Sequence, residues 1–165
     1  MTLVLITCRP GNVERCIEEI GNVLYPYDQS IVFRETVFKG VVLLETRLDP
    51  MEAFRIIKSS EYGFVERVVP FLEAIAGADL EAIVSKAIEL LYKHVSNTGS
   101  LDSICLRIRV RGLRGLSSRL YSMLKKELLE KGIRVDNRSG MCIYVESIGE
   151  LFGIAVLGNR EDRVH

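Results

Sequence analysis

The amino-acid sequence predicts an α+β protein made of two αβ units joined near residues 62–78. Three observations carry that prediction. Short apolar runs with strand character alternate with segments whose apolar residues recur at helical spacing. A strong helix start stands in each half of the chain, at Asp49 and at Asp79. Turn clusters separate these segments, and no stretch is repeated or low in complexity. A chain of 165 residues with 48% hydrophobic and 27% charged residues can bury a real core in one domain or two small ones.

The elements follow in order. Residues 3–8 read as a buried strand, and Pro10-Gly11-Asn12 as a turn with Asn12 as N-cap. Val13, Cys16, Ile17, Ile20 and Leu24 recur on one helical face, with Glu14, Arg15, Glu18 and Glu19 facing out. A loop over residues 25–30 leads to two β-rich runs, 31–36 and 41–46, around Lys39-Gly40, which predicts a hairpin. Asp49 caps the next helix, Pro50 takes its first position, and Glu52 completes a capping box; it should run to about Ser60. Strand, helix, strand, strand, helix is most of a ferredoxin-like unit.

Residues 63–71 form a short β-like stretch closed by Pro70, and residues 73–78 a connector. Asp79 caps an amphipathic helix with Leu80, Ile83, Val84, Ala87, Leu91 and Val95 on its core face. Residues 97–102 are a turn cluster. Leu116, Leu120, Leu124 and Leu128 mark another helix, ended by Gly132. Residues 134–136, 141–147 and 151–157 are strand-like, with Gly149 in the last turn.

Between the last two helices lies the most informative stretch. In residues 104–111, Ile104, Leu106, Ile108 and Val110 fall on one strand face, and Cys105, Arg107, Arg109 and Arg111 on the other. Arginines two apart on a strand stand about 6.6 Å from each other, from a rise of about 3.3 Å per residue. Such a row suits a phosphate backbone better than one small anion. Alone, it also fits a half-buried strand with a solvated charged face.

Charge favours the first reading. The chain holds 22 basic and 22 acidic residues, yet residues 1–77 carry net −3 and residues 78–165 net +3. Residues 107–138 hold 10 basic against 3 acidic residues, net +7. The strand runs into Gly112-Leu113-Arg114-Gly115-Leu116-Ser117-Ser118. The glycines permit close backbone approach, and Ser117 or Ser118 can cap the following helix. A helix N-terminus beside arginines is an anion site; an ordinary capped turn is the alternative. Arg119, Lys125, Lys126, Arg134 and Arg138 extend the charge, which points to a nucleic-acid footprint. Tyr121 is the only aromatic there, so backbone recognition of a folded RNA fits better than base stacking.

Catalytic signatures are missing. His94 and His165 are the only histidines, and no HExxH, CxxC pair, GxSxG elbow, P-loop or GxGxxG fingerprint occurs. Cys8 has no histidine near it in the pattern to activate it as a nucleophile. No metal or cofactor is expected, and the chain reads as a binding protein rather than an enzyme. Cys8, Cys16, Cys105 and Cys142 read as reduced and mostly buried, hence a cytoplasmic protein. The start has no signal-peptide pattern, and no apolar run approaches the roughly 20 residues of a membrane span.

From the helix after Asp79 through Leu106-Arg107-Ile108-Arg109-Val110-Arg111-Gly112, the Gly115-Leu116-Ser117-Ser118 junction, Arg134-Val135-Asp136-Asn137 and Ile143-Tyr144-Val145-Glu146, the second half resembles a THUMP domain. The first half looks like the ferredoxin-like domain that accompanies THUMP, with Glu66-Arg67-Val68-Val69-Pro70 as the joining segment. The resemblance implies residues 1–72 as an N-terminal ferredoxin-like domain and 73–165 as an α/β THUMP domain. One departure is Ser139-Gly140, where the family often has Pro-Asp, beside Arg138. Family members often carry a fused catalytic domain, and none is expected here after the last strand and its short charged tail. It therefore looks most like the stand-alone tRNA-binding adaptors of a tRNA cytidine acetyltransferase. That implies tRNA, gripped at the acceptor-stem region, and an acetyltransferase or other tRNA-modifying enzyme as partners, with no membrane role. Arg109, Arg111, Arg114, Ser117, Ser118, Arg119, Lys125, Lys126 and Arg138 are the expected RNA-binding residues. Two other readings stand beside it: a ferredoxin-like protein-interaction or regulatory module with no RNA role, and a small enzyme such as an acylphosphatase, whose arginine–asparagine site is not recognisable.

Overall fold

The computed structural model describes residues 1–96 and 101–164. The turn cluster expected over 97–102 falls largely on residues 97–100, outside the described part, as does His165. The chain divides into two compact units: Met1–Leu72 together with the tail from Glu161, and Glu73–Arg160.

The first unit contains β1 (Thr2–Cys8), α1 (Val13–Leu24), β2 (Val32–Glu35), β3 (Val41–Thr46), α2 (Pro50–Lys58) and β4 (Val65–Pro70). Its sheet order is β2-β3-β1-β4, and the pairs are antiparallel. That is the βαββαβ arrangement expected. Helix α2 starts as its sequence dictates, Asp49 Oδ2 accepting the Met51 N–H at 3.2 Å. At α1, Asn12 is the N-cap residue, but its side chain donates back to Pro10 O at 3.0 Å and caps nothing. The loop after α1 is tied down by Asp28. Hydrogen bonds from the Ser30 and Thr46 hydroxyls and the Arg47 N–H hold its carboxyl well below the usual carboxylate range.

The tail departs from expectation. Read as the end of the second domain, it belongs instead to the first unit. Val68 N–H donates to Asp162 O at 2.8 Å, and Arg163 bridges Arg67 in antiparallel fashion beside β4. Arg67 Nε meets Asp162 Oδ2 at 2.6 Å with both side chains buried, and Lys58 Nζ donates to Arg163 O. Two desolvated opposite charges hold the segment because either one alone would be buried unpaired. The tail also covers a strand edge that would otherwise be open to pairing.

The second unit contains β5 (Glu73–Ala76), α3 (Leu80–Val95), β6 (Ser103–Arg109), α4 (Leu116–Glu130), β7 (Arg134–Val135), β8 (Met141–Ile148) and β9 (Leu151–Gly158). Its sheet order is β5-β9-β8-β6-β7, with β6 parallel to β8 and to β7. Residues 73–76, expected as a connector, are an edge strand paired with β9. Alanine and glutamate have little strand preference of their own, so the free edge of β9 decides their conformation. One face of the sheet packs under α3 and α4: Ile104, Leu106, Ile143, Val145, Phe152, Ile154 and Val156 meet Ile83, Ala87, Leu91, Leu120, Leu124 and Leu128. Cys105, Cys142, Tyr144 and Glu146 are buried on the other face.

The expectation of reduced cysteines is overturned. Cys8 is joined to Cys16 and Cys105 to Cys142, with Cα–Cα separations of 5.7 and 4.4 Å. The Pro10-Gly11-Asn12 turn folds α1 back so that Cys16 meets the end of β1. Cys105 and Cys142 are register partners on adjacent strands, so their side chains leave the same face. Cysteine usage therefore carries no argument for a reducing compartment. No described helix is long and apolar enough to cross a membrane.

Candidate nucleic-acid interface

After Arg109 the chain leaves the sheet and turns through Gly112 (φ 85°) and Gly115 (φ 77°), both left-handed. Gly115 is the N-cap of α4, and no side chain caps the helix. The expected capping by Ser117 or Ser118 does not occur. The left-handed Gly115 makes Leu116 already helical, which puts both serines inside the first turn. Ser117 Oγ instead accepts the Val110 N–H at 3.3 Å and pins the loop. The first turn holds no acidic residue, and Arg114, Ser118 and Arg119 are exposed around it. An open depression lined by Val110, Gly112, Leu113, Arg114, Gly115 and Ser117 lies in front of it. A helix start with no side-chain cap, the positive end of the helix dipole and the exposed Arg114 thus meet at this depression, with exposed Arg119 one turn along the helix, an arrangement suited to an oxyanion such as phosphate.

The arginine row does not stand in line. Arg107 Nη2 donates to Asn159 Oδ1 at 3.1 Å and to Asn137 O at 3.4 Å, back towards the start of the strand. Arg109 is exposed at the strand end, with Glu146 as its register partner. Arg111, past the strand, folds onto Glu146: Nη1 meets Oε2 at 2.9 Å, with side-chain exposures of 16% and 1%. Its N–H donates to Ser147 Oγ at 2.9 Å, and its carbonyl accepts the Gly149 N–H at 3.0 Å. The charge of Arg111 is therefore already matched inside the protein, and the residue anchors the loop that Arg114 tops. In the sequence Glu146 stood only as the end of the Ile143-Tyr144-Val145-Glu146 run, with no sign of this pairing.

Along α4, Arg119, Lys125 and Lys126 are exposed. Arg119 and Lys126 are seven residues apart, so they share a helical face at about 10 Å spacing. Lys126 also borders a cleft between α3 and α4 with Glu81, Glu127 and Lys131. Arg138 stands elsewhere, on the exposed loop before β8, with its N–H bound to Asp136 Oδ1 at 2.9 Å. The structure thus brings Arg109, Arg111, Arg114, Ser117, Ser118 and Arg119 to one end of β6, extends them along α4, and leaves Arg138 at the other end. Among the described residues no group of three His, Cys, Asp or Glu side chains could hold a metal ion.

No protein-family model matches the chain, and no curated protein matches its sequence. Solved structures match its fold. PH1313 from Pyrococcus horikoshii Ot3 gives a TM-score of 0.73 at 15% identity, over 96% of this chain and 55% of that one. TrmN from Thermus thermophilus gives 0.66 at 20% identity, over 94% and 45%. A 4-thiouridine synthetase, solved as an RNA complex with bound ATP, gives 0.54 at 13% identity, over 96% and 42%. The chain spans about half the length of these proteins. At such identities the likeness concerns the fold alone, and it supports the α+β, THUMP-like fold that the resemblance implied.

Proposed function

We propose that this chain is a tRNA-binding adaptor without chemistry of its own, which grips the acceptor-stem region and presents tRNA to a modifying enzyme that acetylates cytidine. The observation that carries the reading is the start of α4: an uncapped, acid-free first turn flanked by exposed Arg114 and Arg119, within a segment of net +7. Further support comes from the 4-thiouridine synthetase of like fold, which was solved with RNA. The cytidine acetyltransferase as client rests on the sequence resemblance.

The direct test is a gel shift of bulk tRNA over a range of salt. Wild-type protein should bind with an affinity that falls steeply as salt rises, because each phosphate contact releases condensed counterions. An Arg114→Glu/Arg119→Glu variant should lose at least 100-fold in affinity at about 0.1 M salt, estimated from two contacts removed and repulsion added. Equal binding by the variant would sink the reading, and no binding by wild type would favour a protein-interaction module. Adding the chain to a tRNA cytidine acetyltransferase should raise acetylated cytidine; no increase would remove that enzyme as the client.

A further inference from the structure

We infer that Arg107, Arg138 and Arg160, gathered by Asn159, form a second RNA-backbone site at the end of β6 away from the α4 start. This rests on the RNA-binding reading above and extends it to residues at the opposite end of the strand. Asn159 is the hub. Its Nδ2 donates to Asn137 O at 3.0 Å and to Ser139 O at 2.8 Å, and its N–H donates to Gly140 O at 2.9 Å. Its Oδ1 accepts from Arg107 Nη2 at 3.1 Å. One side chain therefore holds the loop carrying Arg138, its own loop carrying Arg160, and the guanidinium of Arg107.

The backbone at Arg160 points the same way. Its φ is 65°, the one left-handed non-glycine residue among those described. Glycine or asparagine fits such a position better. The conformation is kept by the Arg160 N–H donating to Tyr144 Oη at 3.2 Å, and by Tyr144 O–H donating to Gly158 O at 3.1 Å, with the tyrosine 1% exposed. A rigid, buried support thus presents an exposed arginine that the turn itself does not require.

The charges here are not spent internally. Arg107 bonds only neutral oxygens. Arg138 and Arg160 are exposed, and among the described residues none of the three has an ion-pair partner within 4.0 Å. Asp136, two residues before Arg138, accepts the Arg138 N–H and lies 3.9 Å from Arg134. From this cluster to the α4 start is about 15–20 Å along the strand, enough for one RNA to meet both ends with separate phosphates.

The test measures tRNA binding by fluorescence anisotropy between about 50 and 200 mM salt. Arg138→Gln with Arg160→Asn removes both charges, and asparagine tolerates the left-handed backbone. The slope of log affinity against log salt should become shallower by about 1.4–1.8, and affinity at about 0.1 M salt should fall roughly 30-fold. Arg160→Lys should keep the wild-type slope. Asn159→Ala, which keeps every charge but unties the loops, should weaken binding several-fold with the slope unchanged. If Arg114→Glu/Arg119→Glu breaks binding while the Arg138/Arg160 variant retains wild-type affinity and slope, the second site is refuted and the first stands. If wild type binds no tRNA, both fall. Should the double variant fail to fold, Arg138→Glu alone decides: its side chain is exposed, and unchanged binding overturns the site.

Discussion

Helices α3 and α4 lie on the same sheet, yet they begin in opposite ways. At α3, Asp79 Oδ1 accepts the Ala82 N–H at 3.2 Å and Glu81 adds a second negative charge in the first turn. At α4 the cap is Gly115, no acid follows, and a cation, Arg119, sits where an anion would stabilise. The first helix satisfies its own positive end. The second leaves that end open, which costs only a few tenths of a kcal/mol relative to a serine or aspartate cap, because glycine is itself a favourable N-cap.

The comparison can be broken at three places. The largest effect belongs to the anchor beneath the α4 loop. Glu146→Gln removes the counter-charge of Arg111, whose side chain is only 16% exposed. Urea unfolding should show a loss of about 2–3 kcal/mol, below the full cost of an unpaired buried charge because water still reaches the arginine. A loss under 0.5 kcal/mol would mean the pair does not hold the loop. Next is the α3 cap: Asp79→Ala should cost about 1 kcal/mol and leave tRNA affinity unchanged. An accompanying fall in affinity would place α3, not α4, at the RNA. The smallest stability change is the sharpest test. Ser118→Glu puts an acid in the first turn of α4 and should stabilise the fold by about 0.3–1 kcal/mol while weakening tRNA binding. Stability and affinity moving together would remove the trade-off that the two helix starts imply.

Much of the fold was legible residue by residue. Asp49-Pro50 and Asp79 announced α2 and α3 because capping is settled within a few residues. The leucine spacing from Leu116 to Leu128 announced α4, though not its cap, since a left-handed Gly115 shifts Ser117 and Ser118 into the helix. Residues 73–76 carried no strand signal, because their pairing with β9 is a property of the partner edge. Arg160 was passed over entirely. Gly158-Asn159 after the last apolar run was the available hint of a turn, but nothing local shows that Asn159 ties three segments together.

By itself, the sequence determined the two αβ units, most of their elements and the basic character of residues 107–138. These follow from periodicity, caps and charge counts, which act over a few positions. Tertiary structure alone decided which charges remain available. Arg111 meets Glu146 across 35 residues, Arg107 meets Asn159 across 52, and Arg67 meets Asp162 across 95. Strand alternation places side chains on a face, but a long flexible guanidinium goes wherever folding brings an acceptor, and that acceptor is set by sheet register rather than by its neighbours in the chain.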